Sequence, residues 1–140
     1  IRDSYITAER DSLSAPLDKI QIIKGWTENG KINEVVYDVI CSDDREINNR
    51  NNKCKETKAS VNFENCSFDE NYGSDRLEVI WTDTEYTPDQ NTFYYARAIE
   101  NPTCRWSTYD SIRIDEKPAK NYPKIMREMA WSSPIWIKNN

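Results

Sequence analysis

Apolar and polar positions alternate along this chain in short runs, and turn-forming clusters separate the runs at roughly ten-residue intervals. Tyr5 to Glu9 alternates weakly and predicts a first strand, stopped by Asp-Ser-Leu-Ser-Ala-Pro, whose proline has no amide to give a ladder. Lys19 to Trp26 is β-branched and apolar, and Glu34 to Cys41 follows it across Thr27-Glu28-Asn29-Gly30-Lys31. Asn-Gly tolerates the positive φ of a tight hairpin, so these two strands are expected to pair antiparallel. Ala59 to Asn65 and Leu77 to Thr82 read as two further strands around a turn at Asp69 to Asp75. Thr92 to Glu100 is the most strand-like run and is expected to be central. It places Phe93, Tyr95 and, at the margin, Arg97 on one face, with Tyr94, Ala96 and Ala98 on the other. Asn101 to Asp110 is a polar-aromatic cluster, and Ile112 to Tyr122 is charged and punctuated by Pro118 and Pro123. Lys124 to Trp131 has room for a helical turn or two, and Ser133 to Lys138 closes the chain as a last strand.

Six or seven short strands so spaced predict a mainly β fold: an antiparallel β-sandwich of the fibronectin III or immunoglobulin-like kind, with little helix. The length, 140 residues, suits one β-rich domain over 1–140. Residues 42–58 are charged, carry Asn48, Asn49, Asn51 and Asn52 around Arg50, show no periodicity, and read as an exposed loop.

Charged residues make up 31% of the chain and hydrophobic ones 37%, so core burial must lean on five Trp, eight Tyr and three Phe. The net charge of −5 and the interleaving of both signs leave no basic stripe, which argues against a nucleic-acid partner. No window approaches the roughly 18 consecutive apolar residues of a membrane helix, and no signal peptide opens the sequence. The first residue is Ile1 rather than Met, the pattern of a processed chain or excised fragment.

Cys41, Cys54, Cys66 and Cys104 form an even set without a close pair. A zinc site would need all four thiolates gathered from scattered loops, and reduced thiols would suit a cytoplasm. Disulfides are the favoured reading. Three pairings are open; Cys41 with Cys54, closing the polar loop, and Cys66 with Cys104 are preferred. They imply an oxidising, periplasmic or extracellular compartment.

The chain has no histidine, which removes Ser-His-Asp and Cys-His catalysis and His-ligated metals. No catalytic residue, metal ligand or cofactor is assigned. Asp83 and Glu85 beside Trp81 have glycosidase composition, but such pairs are common by chance in acidic turns. Asp69, Asn71, Gly73 and Asp75 are oxygen-rich, yet Gly73 is misplaced for a calcium loop and no Glu closes it. Asn65-Cys66-Ser67 is formally a glycosylation triplet, weakened by the cysteine. Trp26, Trp81 and Trp136 sit in apolar strands and read as core. Trp106 and Trp131 lie in polar runs, the setting of an interface aromatic.

Pro16-Leu-Asp-Lys-Ile-Gln-Ile-Ile-Lys-Gly-Trp26, Val79-Ile-Trp-Thr-Asp83, Phe93-Tyr-Tyr-Ala-Arg97, Glu100-Asn-Pro-Thr-Cys-Arg-Trp-Ser-Thr-Tyr-Asp110 and Ala130-Trp-Ser-Ser-Pro-Ile-Trp136 occur in this order. Together, from about Tyr5 to Trp136, the chain resembles the C-terminal part of the domain-of-unknown-function 3604 family. That resemblance implies bacterial, exported proteins several times longer, whose N-terminal part resembles PHP-type metal-dependent phosphoesterases with His-rich motifs. It implies that any metal chemistry belongs to that upstream domain, the expected partner, and that the present chain is a β-rich C-terminal module. Within the matching block, Arg105, Trp106, Ser107, Thr108, Tyr109 and Asp110, with Trp131, are the candidate interface: a forked donor, an apolar anchor and a counter-charge. The alternative is an internal corner in which Arg105 and Asp110 satisfy each other.

Three functions are therefore compared. A non-catalytic module packed on the hydrolase-like domain would expose an apolar-plus-Arg patch around Trp106. A stand-alone module binding carbohydrate or another cell-surface polymer would expose a row of coplanar aromatics in a groove. An autonomous carboxylate hydrolase would need two acids facing each other across a cleft.

Overall fold

Ser4 to Glu9 form β1, in which half-buried and exposed residues alternate, the pattern of a strand with one covered face. The computed structural model describes residues 3–117 and 120–138, so Ile1 and Pro118 lie outside the described residues. The hairpin expected at Asn-Gly is present: Asn29 and Gly30 take φ of 50° and 73° and join β2 (Leu17–Glu28) to β3 (Lys31–Cys41), with Glu28 opposite Lys31. β7 (Thr92–Glu100) pairs antiparallel with the other edge of β2. Both β10 (Met129–Trp131) and β11 (Ile135–Ile137) pair with the far edge of β7. Hence β7 lies inside the sheet, with its odd and even side chains on the two faces that alternation predicts.

The second layer is a ribbon, β1 paired antiparallel with β6 (Arg76–Trp81). Its inward residues meet the sheet around Leu17, Ile20 and Leu77, with Ile6, Ala8, Val39 and Ile40 packed on that centre. The fold is thus mainly β and antiparallel, in two unequal layers, with one short helix among the described residues. Both preferred disulfides form, Cys41–Cys54 and Cys66–Cys104.

Charged groups hold the end of the sheet where β2 and β3 part. Asp18 is buried and accepts from Arg45 at 2.5 Å and from Arg127. Asp38, also buried, accepts from Lys19 at 3.0 Å, from Gln21 at 2.5 Å and from the Cys54 amide at 2.8 Å. Buried carboxylates are tolerable only when so satisfied. These bonds also tie down the polar stretch 42–58. It contains a two-rung ribbon, β4 (Ile47–Asn48) with β5 (Lys53–Cys54), turned by Asn48 and Asn51 side chains that accept amides two residues ahead.

Three expectations are corrected. Ala59 to Asn65 is not a strand; it makes one bridge, Val61 with Phe68. Asn62 and Asn65 accept the amides of Glu64 and Ser67, so local turns compete with the ladder. Lys124 to Trp131 is not helical. Ile125–Met126 (β9) pairs with Thr103–Cys104 (β8), Met129–Trp131 pairs with β7, and Arg127 between them is drawn to Asp18. Conversely, the polar-aromatic cluster runs into a helix, α1 (Trp106–Arg113), where none was expected.

Candidate functional site

Asn101 fixes the corner from which the candidate residues project. Its amide donates to Pro16 O at 2.8 Å, its Nδ2 to Tyr72 O at 2.8 Å, and its Oδ1 accepts from Thr57 at 3.2 Å. With every polar atom satisfied, the side chain is buried without penalty. The chain then enters β8, and α1 begins directly after it. Arg105 in an extended conformation is the N-cap, without a capping side chain. Anchoring is tertiary instead: Cys104 is bonded to Cys66, and both the Arg105 amide (2.9 Å) and Thr108 Oγ1 (2.8 Å) donate to Lys124 O.

This anchoring inverts the usual helix. The buried residue of α1 is Thr108, while Trp106, Tyr109 and Ile112, three apart, face outward. Trp106 is 66% exposed and Leu13, from the turn after β1, is 89% exposed. Together with Tyr109 and Met126 they line a shallow cleft of about 260 Å³ that reaches the Cys66–Cys104 bridge. The Arg105 guanidinium sits 5.5 Å from the centre of the Tyr122 ring. No ion pair joins it to exposed Asp110, so the self-satisfied corner is not what forms. Ser107 is half-buried and its carbonyl accepts from Ser111, and the Tyr109 hydroxyl donates to Cys66 O at 3.4 Å.

The structure therefore brings Arg105 to Asp110 together on one helical corner and sets Trp131 apart, on β10 opposite Arg97. Sequence reading did not single out Leu13 or Met126. Leu13 carried the same signal as Trp106, a large apolar side chain inside a polar turn.

A second aromatic group lies on the outer face of the main sheet. Phe93 and Tyr95 rings are parallel within 5°, and Trp136 lies 5.0 Å from Phe93. Trp136 is 66% exposed, which corrects its reading as core: its strand is an edge and its face carries no second layer over the ring.

Asp83 is not poised for acid-base work with Glu85. It is buried, 2.6 Å from Lys24 Nζ, and accepts from Tyr94 at 2.5 Å and the Glu85 amide at 2.9 Å. Burial presses this carboxyl upward, but Lys24, Tyr94 and the amide outweigh it and hold the group below the usual carboxylate range. Burial and the Asp83 charge raise Tyr94 in turn, and burial with the Glu85 bond pushes Tyr37 up to about 12. The group is a sealed ion pair. Among the described residues, no three carboxylate or thiolate side chains gather as metal ligands.

A family model described as a protein of unknown function (DUF3604) matches residues 3–139. No curated protein and no solved structure matches the chain.

Proposed function

This chain belongs to the DUF3604 family, and on that premise we propose that it is a non-catalytic β-module that docks on a protein domain through the α1 corner. The observation that carries this reading is the outward stripe of Trp106, Tyr109 and Ile112 on a helix whose buried side chain is a threonine. Packing a helix normally hides its apolar stripe, and large exposed apolar patches mark interaction surfaces. Arg105 beside the stripe supplies a forked donor for a carboxylate or phosphate at the rim, and Asp110 a counter-charge. The partner is the upstream, metal-dependent hydrolase-like domain of the same polypeptide, which would hold whatever metal chemistry the whole protein has. Two disulfides suit an extracellular or periplasmic site for the assembly.

The test is calorimetric titration of the 140-residue chain with that domain expressed separately. Trp106→Ala is expected to weaken binding at least tenfold, the size of a central aromatic anchor, and Arg105→Ala by less. Absence of binding between the two folded partners would overturn the reading.

The aromatic group of Phe93, Tyr95 and Trp136 favours a second reading, a module that stacks sugar rings of a cell-surface polymer. Quenching of tryptophan fluorescence by soluble oligosaccharides, lost in Trp136→Ala and kept in Trp106→Ala, would select it.

A further inference from the structure

The two layers of the fold differ in width, and the mismatch leaves a trough. The β1–β6 ribbon stacks on β2 and β3. Beside it, a groove in two adjoining parts of about 430 and 680 Å³ opens between β1 and the side of the sheet formed by β7, β10 and β11. Its floor is Ile20 and Ile22 of β2 with Ala96 and Ala98 of β7, apolar and, on β7, small. One wall is β1 itself. This strand pairs with β6 along one edge and, among the described residues, with no strand along the other. A row of unpaired amides and carbonyls therefore runs beside an apolar trough, the arrangement that accepts an added strand.

Charge at one end says more about the occupant. Glu9, Glu100 and Glu128 line the groove there. Glu100 accepts from the Ser14 hydroxyl, and its carboxyl is raised by burial and by the neighbouring charges of Glu128 and Asp11. Of the nearby cations, Arg10 is engaged with Glu70 and Asp75, and Arg76 bridges Glu78 at 3.0 Å and Glu9 at 3.6 Å, which leaves Glu100 and Glu128. Among the described residues, Glu100 and Glu128 form no ion pair.

We propose that the groove takes an extended segment of a partner polypeptide as a strand added antiparallel to β1, apolar at every second position and carrying Lys or Arg at its N-terminal end. Antiparallel addition continues the pairing that β1 already makes with β6 and brings the N-terminal end to Glu9. Six residues, the length of β1, span roughly 20 Å, and their inward side chains would lie over Ala96 and Ala98. The site does not depend on Trp106, although Glu128 at its acidic end also lines the α1 cleft.

The probe is the blocked peptide Arg-Val-Thr-Val-Thr-Val-Thr, added to the 140-residue chain and followed by amide hydrogen exchange and heteronuclear NMR. The amides of β1 that point away from β6 are expected to exchange at least tenfold more slowly with peptide bound. Glu128→Arg, at an exposed position, or Glu in place of the peptide's Arg should weaken binding at least tenfold. Proline at the central valine should abolish it, and Trp106→Ala should leave it unchanged. Ala98→Trp, which fills the trough, should also block binding; if that variant fails to fold, Glu128→Arg carries the test. No slowing in β1 at millimolar peptide, equal slowing by the proline peptide, or indifference to both charge reversals would overturn the proposal.

Discussion

Gly25 faces Phe93 across β2 and β7, and the ring occupies the space a Cβ would need. This is a close-approach glycine: its backbone is ordinary β, and what it gives up is side-chain volume. The Phe93 ring thereby lies beside Tyr95 and Trp136, so the outer aromatic group depends on the absence of one methyl. Gly25→Ala is expected to force Phe93 off this seat. The cost should be about 1–3 kcal/mol, as for other overpacked sites, measured by urea unfolding. The near-UV circular dichroism of the native state should change with it, since the ring contacts move. An alanine variant with unaltered stability and unaltered near-UV signal would show that the ring swings aside freely. The sequence displayed Gly25 only as an interruption in an apolar run; its partner is 68 positions away, and no local pattern connects them.

Among the elements, those whose own side chains specify them were legible and those specified by distant partners were not. β1, β2, β3, β6, β7 and β11 each carry an alternating or β-branched run, and Asn29-Gly30 sets its hairpin by backbone conformation alone. Apart from Arg113 in its last turn, α1 lacks the usual signals: no capping side chain, no acidic first turn and no apolar face turned inward. It is held by Lys124 O, by Thr108 and by the bridge to Cys66. The same lack of an internal cause hid β9 and β10, which are extended because β8 and β7 offer edges. Removing the bridge tests this account. Replacing Cys66 and Cys104 by serine opens a link across 38 positions, worth about 4 kcal/mol in the chain-entropy treatment. The loss should concentrate in α1, where the amides of Tyr109 to Arg113 are expected to lose exchange protection before those of β2 and β7. Uniform loss across the molecule would mean that the helix is held by its other contacts.

For the whole molecule, paired charges share the interior with apolar packing: among the described residues the carboxylates of Asp18, Asp38 and Asp83 are buried in a chain of modest hydrophobic content. This partnership, invisible in a sequence that shows only interleaved charges, sets how stability depends on pH. Burial presses Asp38 upward, but the Cys54 amide, Gln21 and Lys19 hold it below its ordinary value, and Asp83 is likewise depressed by Lys24 and Tyr94. A carboxyl depressed in the folded state stabilises fully above its unfolded value of about 3.9, and that contribution disappears as pH falls through the lower folded value. Glu100 has the opposite sign: its carboxyl is raised, so protonating it first favours the fold. Acidification should therefore first raise stability slightly as Glu100 titrates, and then lower it as Asp38 and Asp83 take up protons. Urea midpoints between pH 7 and pH 2 measure this directly. In Asp38→Asn stability at pH 7 should be lower, since the Lys19 charge loses its partner, while the drop on acidification should be shallower. In Glu100→Gln the midpoint at pH 7 should rise and the initial gain on acidification should give way to a flat stretch. An Asp38→Asn variant that loses stability in acid as steeply as the parent would place the titrating groups elsewhere and remove Asp38 from the account.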